Sequence, residues 1–375
     1  MLKIVADNKI PFLQGVFEKF NCEVVYLPGS KISQADLIDA DALITRTRTI
    51  CNEALLHDTK VKIVVTATIG TDHIDKQYLA KNNIAFYSAP GCNSASVNQY
   101  VVTALINLAA KENFSLEGKT LGIIGVGNVG SKVAKSAEIL GMNVILNDPP
   151  RAEKEGNEDG KFAKLDYLLK NSDFITVHTP LDESTYHLAN LNFFEKCAKK
   201  SVYFINSSRG AVCDNNALLY ALKNGLIQGA VLDVWENEPE INEELLAMLD
   251  YATPHIAGYS ANGKANGTTI AVRRIAEFFN IEGLKNFELP PFRLTDNSRI
   301  NLDNAKNILL KAVNNSYDIK FDSDNLKKNP KNFEFLRNEY HYRLEFPYFS
   351  VYNIAEHSKH ELQKLENMGF KIEKF

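Results

Sequence analysis

The chain has 375 residues, which at about 150 residues per domain predicts two or three domains with sizeable cores and excludes a single small binding module. Its 42 Lys and Arg against 46 Asp and Glu leave a net charge of −4, with 23% charged and 45% hydrophobic residues, a balance that points to no nucleic-acid partner. The five cysteines, Cys22, Cys51, Cys92, Cys197 and Cys213, are scattered without a C-x-x-C pair, so the expectation is a reducing, cytoplasmic setting rather than a disulfide framework or a zinc cage.

The opening Met1–Asp7 carries Lys3 and Asp7 and has no apolar h-region, so it reads as a first strand and not as a signal peptide. Strand-type runs at 2–7, 22–27, 42–47, 61–68 and 84–88 alternate with amphipathic pieces near 11–20, 33–39, 53–58 and 75–82. That rhythm predicts βαβ units on a parallel sheet. A longer helix is predicted over 94–111, entered by the cap-type Asn93 and Ser94 and carrying Val97, Val101, Leu105 and Leu108 at helical spacing. It holds the longest apolar stretch, 100–110, far short of the roughly 20 residues a membrane span needs, so no membrane partner is expected.

A second alternating series runs through 120–127, 143–148, 174–179, 202–207, 229–234 and 253–258, with helical patterns between, and predicts a second doubly wound sheet. A helix near 262–280 would return to the first sheet and make the first domain discontinuous. At Leu289-Pro290-Pro291 the rhythm breaks, and the remainder, with 12 Asn from Asn297 onward, reads as a third, smaller unit. Helices are predicted there at 303–314 and at 358–368, the latter closed by Gly369, with a strand at 349–354. The expected architecture is α/β: a domain formed by 1–93 and 259–288, another by 94–258, and a small α+β domain over 289–375.

The strongest motif is Gly125-Val126-Gly127-Asn128-Val129-Gly130, which follows the apolar strand Leu121–Ile124 and opens a helix. In a Rossmann-like strand-loop-helix unit, the first glycine permits the tight turn, the second lets backbone approach a pyrophosphate, and the third lets helix and strand pack closely. Gly125, Gly127, Asn128, Val129 and Gly130 are therefore expected cofactor contacts. Asp148 ends the next strand about 20 residues on, where a carboxylate accepts hydrogen bonds from ribose hydroxyls and repels a 2′-phosphate, so NAD is favoured over its phosphorylated form. Arg151, three residues further, is the one feature that could accommodate that phosphate.

Three later segments each end a predicted strand: Asn206-Ser207-Ser208-Arg209-Gly210, Asp233-Val234-Trp235-Glu236-Asn237-Glu238-Pro239 and Thr253-Pro254-His255-Ile256-Ala257-Gly258. In a doubly wound sheet, carboxyl ends of strands line the ligand crevice. Arg209, Glu238 and His255 can thus converge beside a nicotinamide. There Arg209 would hold a substrate carboxylate, His255 would take a hydroxyl proton, and Glu238 would orient the imidazole and balance its charge. Taken singly, a surface Arg, a solvated Glu and a boundary His are the blander readings; the shared placement favours the catalytic one.

The segments G-V-G-N-V-G, S-R-G-A-V, L-D-V-W-E-N-E-P and T-P-H-I-A-G resemble the D-isomer-specific 2-hydroxyacid dehydrogenase family over about residues 1–285. The resemblance implies the same catalytic set, Arg209, Glu238 and His255. It also implies NAD contacts at Asp148, Thr179, Ser207, Ser208, Arg209, Asp233 and Gly258, and substrate contacts at Thr47, Thr68 and Tyr259. The stretches at 66–73, 89–93, 147–151 and 255–259, with Phe335-Leu336-Arg337-x-x-Tyr340-x-x-Arg343-x-Glu345, resemble a branch of the family that acts on a small phosphorylated 2-hydroxy acid and pairs as a homodimer through its C-terminal region. Another phosphorylated acid such as 3-phosphoglycerate, or an NAD(H)-sensing module without turnover, remains open from the sequence.

A phosphorylated acid presents two anions, and Arg46 and Arg48 flank Thr47 at the end of the third predicted strand, with Thr68-Ile69-Gly70-Thr71 offering further donors. Solvated loop arginines are an equally good reading of each; Arg46 is the one expected to touch phosphate. His357 and His360 have no third ligand nearby, so no metal is expected. His73, His178, Trp235 and the aromatic 340–352 stretch are read as core or subunit contacts.

Overall fold

The strands of both alternating series pair in parallel, and the chain divides into two compact units. A computed structural model describes residues 1–197, 201–292, 298–355 and 357–373. One unit comprises Met1–Asn93 with Ser260–Phe292, the other Ser94–Tyr259 with Arg293–Phe375.

In the first unit, β1 (Leu2–Asp7), β2 (Cys22–Leu27), β3 (Ala42–Thr45), β4 (Ile63–Thr66) and β5 (Ala85–Tyr87) form a sheet of order β2-β1-β3-β4-β5. β3 and β4 are buried along their whole length, as strands covered on both faces must be. The helix Ala261–Phe278 returns to this sheet, and its Ala271, Val272 and Ile275 share a core with Ile4, Ile44, Ile63 and Val65. The segment 11–20, which the sequence pattern presents as a helix, forms only a short 3-10 turn at Glu18–Phe20. Pro11 offers no N–H, and Phe12 and Gly15 take positive φ of 63° and 79°, so no continuous helix can run through them.

The second unit holds β6 (Thr120–Ile124), β7 (Asn143–Asn147), β8 (Phe174–Val177), β9 (Tyr203–Asn206), β10 (Gly229–Leu232) and β11 (Tyr251–Ala252) in the order β11-β10-β9-β8-β6-β7. Strand order reverses between β6 and β8, the switch point where such sheets open a crevice. β11 stops at Ala252, so the expected strand at 253–258 is instead a loop: Pro254 has no N–H to give a ladder and His255 sits at φ +58°.

β12 (Arg299–Asn301), β13 (Ser350–Tyr352) and β14 (Lys371–Ile372) make a small parallel sheet near the C-terminus. Strands of two or three residues cannot bury a core alone. Ile300, Leu302, Ile308, Val313 and Val351 accordingly share one apolar cluster with Val101, Leu105 and Leu108 of the helix Ser94–Lys111. The C-terminal segment, expected from the sequence as a third, smaller domain over 289–375, groups with the second sheet in one compact unit. Among the described residues, no helix is long and apolar enough to cross a membrane.

Candidate active site

The second sheet aligns its strand ends in one row. Ile124 pairs with Asn147 and with Val177, Val177 with Asn206, Asn206 with Leu232, and Leu232 with Ala252. The residues that leave this row are Gly125, Asp148, His178, Ser207, Asp233 and Thr253, so parallel register alone brings most of the expected site residues to one edge.

Gly125 turns the chain at φ +85°, and a Cβ there would lie 2.7 Å from the His178 carbonyl oxygen. At Gly130 a Cβ would meet the Gly125 carbonyl oxygen at 2.1 Å, whereas at Gly127 it would meet nothing within 4 Å. Two glycines are thus required by packing, and the third leaves open space at the N-cap of the 12-residue helix Asn128–Ile139. Unpaired N–H groups and the helix dipole make that end suited to a pyrophosphate. Asp148 accepts from Val126 N–H at 2.7 Å and Arg151 N–H at 3.0 Å, which braces the loop and fixes the carboxylate beside it. Arg151 is itself bonded to Glu155, at 2.6 and 2.9 Å, and to the Val126 carbonyl, so its charge is already engaged.

The hydroxyls of Thr179 and Ser207 are buried without a hydrogen-bond partner among the described residues. Buried polar atoms are rarely left so, and both lie just beyond the row of strand ends at the crevice. Two orphan hydroxyls, an open Gly127 and a braced acidic residue fit a dinucleotide. Ser208 behaves differently, its N–H and hydroxyl both donating to Asn206 Oδ1 at 3.0 and 2.8 Å. Asn206 Nδ2 donates in turn to the Arg209 carbonyl at 3.0 Å, shaping the turn that presents Arg209. The next residue, Gly210, lies so close to the Trp235 carbonyl that a Cβ would come within 1.8 Å of it, which seats Arg209 against the loop carrying Glu238.

Asp233 organises the His255 loop. Its Oδ1 accepts from the Thr253 hydroxyl and Ile256 N–H, both at 2.7 Å, and its Oδ2 from Ala257 N–H at 2.9 Å. Burial pushes this carboxyl above its ordinary value against the pull of those bonds and of His255. Holding His255 at a left-handed φ costs on the order of 1 kcal/mol, and this clamp over-determines it. His255 Nδ1 lies 2.8 Å from Glu238 Oε2, while Glu238 Oε1 accepts from Trp235 N–H at 2.9 Å. Burial disfavours the Glu238 charge, yet the bond from His255, the Trp235 N–H and the nearby Arg337 together hold the carboxyl below its usual value. An ionised carboxylate on Nδ1 fixes the tautomer that leaves Nε2 as an acceptor. Trp235, buried, donates from its indole to the Thr253 carbonyl at 3.1 Å and is a brace rather than a contact surface.

Two further residues reach this site. Tyr259 follows Gly258 at the loop's end, its ring edge-on to Tyr340 and Tyr342, and Arg337 Nε donates to its hydroxyl at 3.3 Å. Arg337 Nη1 lies 3.6 Å from Glu238 Oε2. The tail motif expected at a subunit contact therefore also points into this unit, a role the sequence did not disclose because its only signal is a lone Arg on a short helix. His178 bonds Thr176 at 3.0 Å, and burial lowers its imidazole to about 3, so it stays neutral.

Arg46, Thr47 and Thr68 belong to the first unit. Thr45 pairs with Thr66 in register, so 46–48 and 67–71 leave the same edge of β3 and β4. Arg46 Nη1 donates to the Lys9 carbonyl at 3.0 Å, Thr47 is exposed, and the Thr68 hydroxyl lies 2.8 Å from that of Thr66. Among the described residues no group of three His, Cys, Asp or Glu side chains is placed to hold a metal ion.

Residues 94–257 match the family model for the D-isomer specific 2-hydroxyacid dehydrogenase, NAD binding domain. An erythronate-4-phosphate dehydrogenase of Bacteroides thetaiotaomicron is 46% identical over 94% of this chain and 100% of its own length. The protein of the same name from Escherichia coli O127:H6 is 41% identical over 95% of this chain and 94% of its own. Among solved structures, D-lactate dehydrogenase from Aquifex aeolicus, complexed with NAD and lactic acid, superposes with a TM-score of 0.61 at 27% identity, covering 77% of this chain and 100% of that one. NAD-bound 3-phosphoglycerate dehydrogenase from Entamoeba histolytica gives a TM-score of 0.63 at 25% identity, over 78% of this chain and 99% of that one.

Proposed function

The chain belongs to the D-isomer specific 2-hydroxyacid dehydrogenase family and takes NAD as its cofactor, and on that premise we propose that it oxidises 4-phospho-D-erythronate to (R)-3-hydroxy-2-oxo-4-phosphooxybutanoate, with the substrate taken from the names of its relatives. The reaction would serve vitamin B6 formation, in the cytoplasm, where buried free thiols such as Cys51 and Cys213 persist. The observation that carries the reading is the His255–Glu238 pair, held at 2.8 Å on the same sheet edge as the Gly127 loop and Arg209.

In this reading the Arg209 guanidinium holds the substrate carboxylate. His255 Nε2 accepts the proton of the C2 hydroxyl, and the Nδ1–H bond to Glu238 stabilises the imidazolium as it forms. The Gly125–Gly130 loop, Asp148, Thr179 and Ser207 would hold NAD, which would supply the hydride acceptor. Thr47, Thr68 and Tyr259 are the proposed further substrate contacts, with Arg46 near the phosphate. The protein would act as a homodimer through its C-terminal segment, where Phe321 and Phe335 are 62% and 65% exposed, large apolar side chains of the kind subunit contacts cover.

His255→Asn is expected to lower kcat by about 10²–10⁴-fold while NADH binding, followed by its fluorescence, persists. A fully active variant would remove His255 from the chemistry.

A further inference from the structure

Arg337 occupies an unusual position for a residue of the C-terminal segment. Its helix, Phe333–Asn338, is anchored by Phe333, which is buried in the core cluster that also holds Trp235 and Leu245. Arg337 follows four residues later on the same face, and so it is carried toward the Trp235–Glu238 loop. Its side chain is only 20% exposed. A buried guanidinium is costly unless its charge and donors are matched.

The match is incomplete. Arg337 Nε donates to the Tyr259 hydroxyl at 3.3 Å, but Nη1 stops 3.6 Å from Glu238 Oε2, beyond hydrogen-bond distance. Glu238 is already committed, one oxygen to Trp235 N–H and the other to His255. Neither Nη group donates a hydrogen bond among the described residues. Among the described residues, the carboxylate within 4 Å of Arg337 is thus already engaged by the imidazole, and the Nη donors are left beside it for an anion from outside the chain.

We propose that Arg337 is a substrate-binding residue that takes the phosphate of the phosphorylated 2-hydroxy acid, leaving the carboxylate to Arg209. Arg46, whose Nη1 already donates to the Lys9 carbonyl at 3.0 Å, is then at most an auxiliary contact. The assignment rests on the function proposed above and deepens it: one guanidinium per anion fixes the two ends of the substrate. Tyr259 holds Nε, so the fork presents its Nη edge, the geometry suited to phosphate oxygens. The C-terminal segment would then select the phosphorylated acid in cis, from the chain's own fold.

The test compares wild type, Arg337→Met and Arg337→Lys on 4-phospho-D-erythronate and on D-erythronate, with NADH fluorescence as the check on folding. Arg337→Met is expected to lose about 100-fold or more in kcat/KM on the phosphorylated acid, with Arg337→Lys losing less. On D-erythronate its loss should be distinctly smaller, that of the support to Glu238 alone, and turnover of the phosphorylated acid should become insensitive to competition by inorganic phosphate. Equal losses on both acids would overturn the phosphate contact, since Arg337 would then act only through Glu238. So would a Met variant that binds NADH and keeps the wild-type preference for the phosphorylated acid. A wild type without that preference would contradict the substrate assignment itself, an outcome read separately from either variant.

Discussion

Arg343 shows how a single buried charge can fix the loop that carries His255. Its guanidinium donates to the carbonyls of Ile256 and Ala257, at 3.1 and 2.6 Å, on the loop that carries His255. It also donates to Gln99 Oε1 at 3.1 Å and to Ser96 on the helix Ser94–Lys111, and it lies 4.1 Å from the Tyr317 ring centroid. Asp322, bonded to Tyr340 at 3.1 Å, is pushed up to about 6 by burial despite the neighbouring guanidinium, so Arg343 is satisfied chiefly by oxygen acceptors. Replacing it with Met would strand several buried carbonyls at once. Arg343→Met is expected to destabilise the fold by about 3 kcal/mol or more, read as a lower denaturation midpoint, and an unchanged midpoint would show the clamp to be dispensable. The His255–Glu238 contact is legible in the sequence because each member sits after a strand end within a short motif. Arg343 and Arg337 are not: their partners lie up to 247 positions away in the chain, and no local pattern encodes such a pairing.

At the scale of elements, the glycine loop and the register of β6 through β11 carry the site. A periodic apolar run followed by G-x-G-x-x-G is local information, so β6, the turn and the helix Asn128–Ile139 are legible in the sequence alone. The segment 253–258 is not, because its strand-like apolar pattern belongs to a buried loop pinned by Asp233, and tertiary bonds rather than propensity decide it. The piece at 11–20 illustrates the converse, with an amphipathic spacing overruled by Pro11 and by positive φ at Phe12 and Gly15. Close packing at Gly130 yields a direct expectation. Gly130→Ala would force the loop away from the 2.1 Å approach, and NADH affinity should fall by about tenfold or more, the loss of one good contact. Titration of NADH fluorescence checks it, and wild-type affinity would show that the loop relaxes freely.

At the scale of the whole molecule, the two solved dehydrogenases cover 77% and 78% of this chain, while the two relatives named for erythronate-4-phosphate cover 94% and 95%. Those relatives therefore match a share of this chain that the two solved dehydrogenases leave unmatched. The division between sheets is legible from alternation alone. The packing of the C-terminal segment against the helix Ser94–Lys111 is not, because its strands are two or three residues long and its helices bury their faces on a distant core. The most direct measurement is a side-by-side comparison of kcat/KM for 4-phospho-D-erythronate and 3-phosphoglycerate, followed as NADH formation by the purified chain. The expected result is a preference for the four-carbon acid of about 100-fold or more, the discrimination available when a buried charged contact is satisfied by one substrate and left unpaired by the other. Equal turnover of the two acids, or none of either, would contradict it.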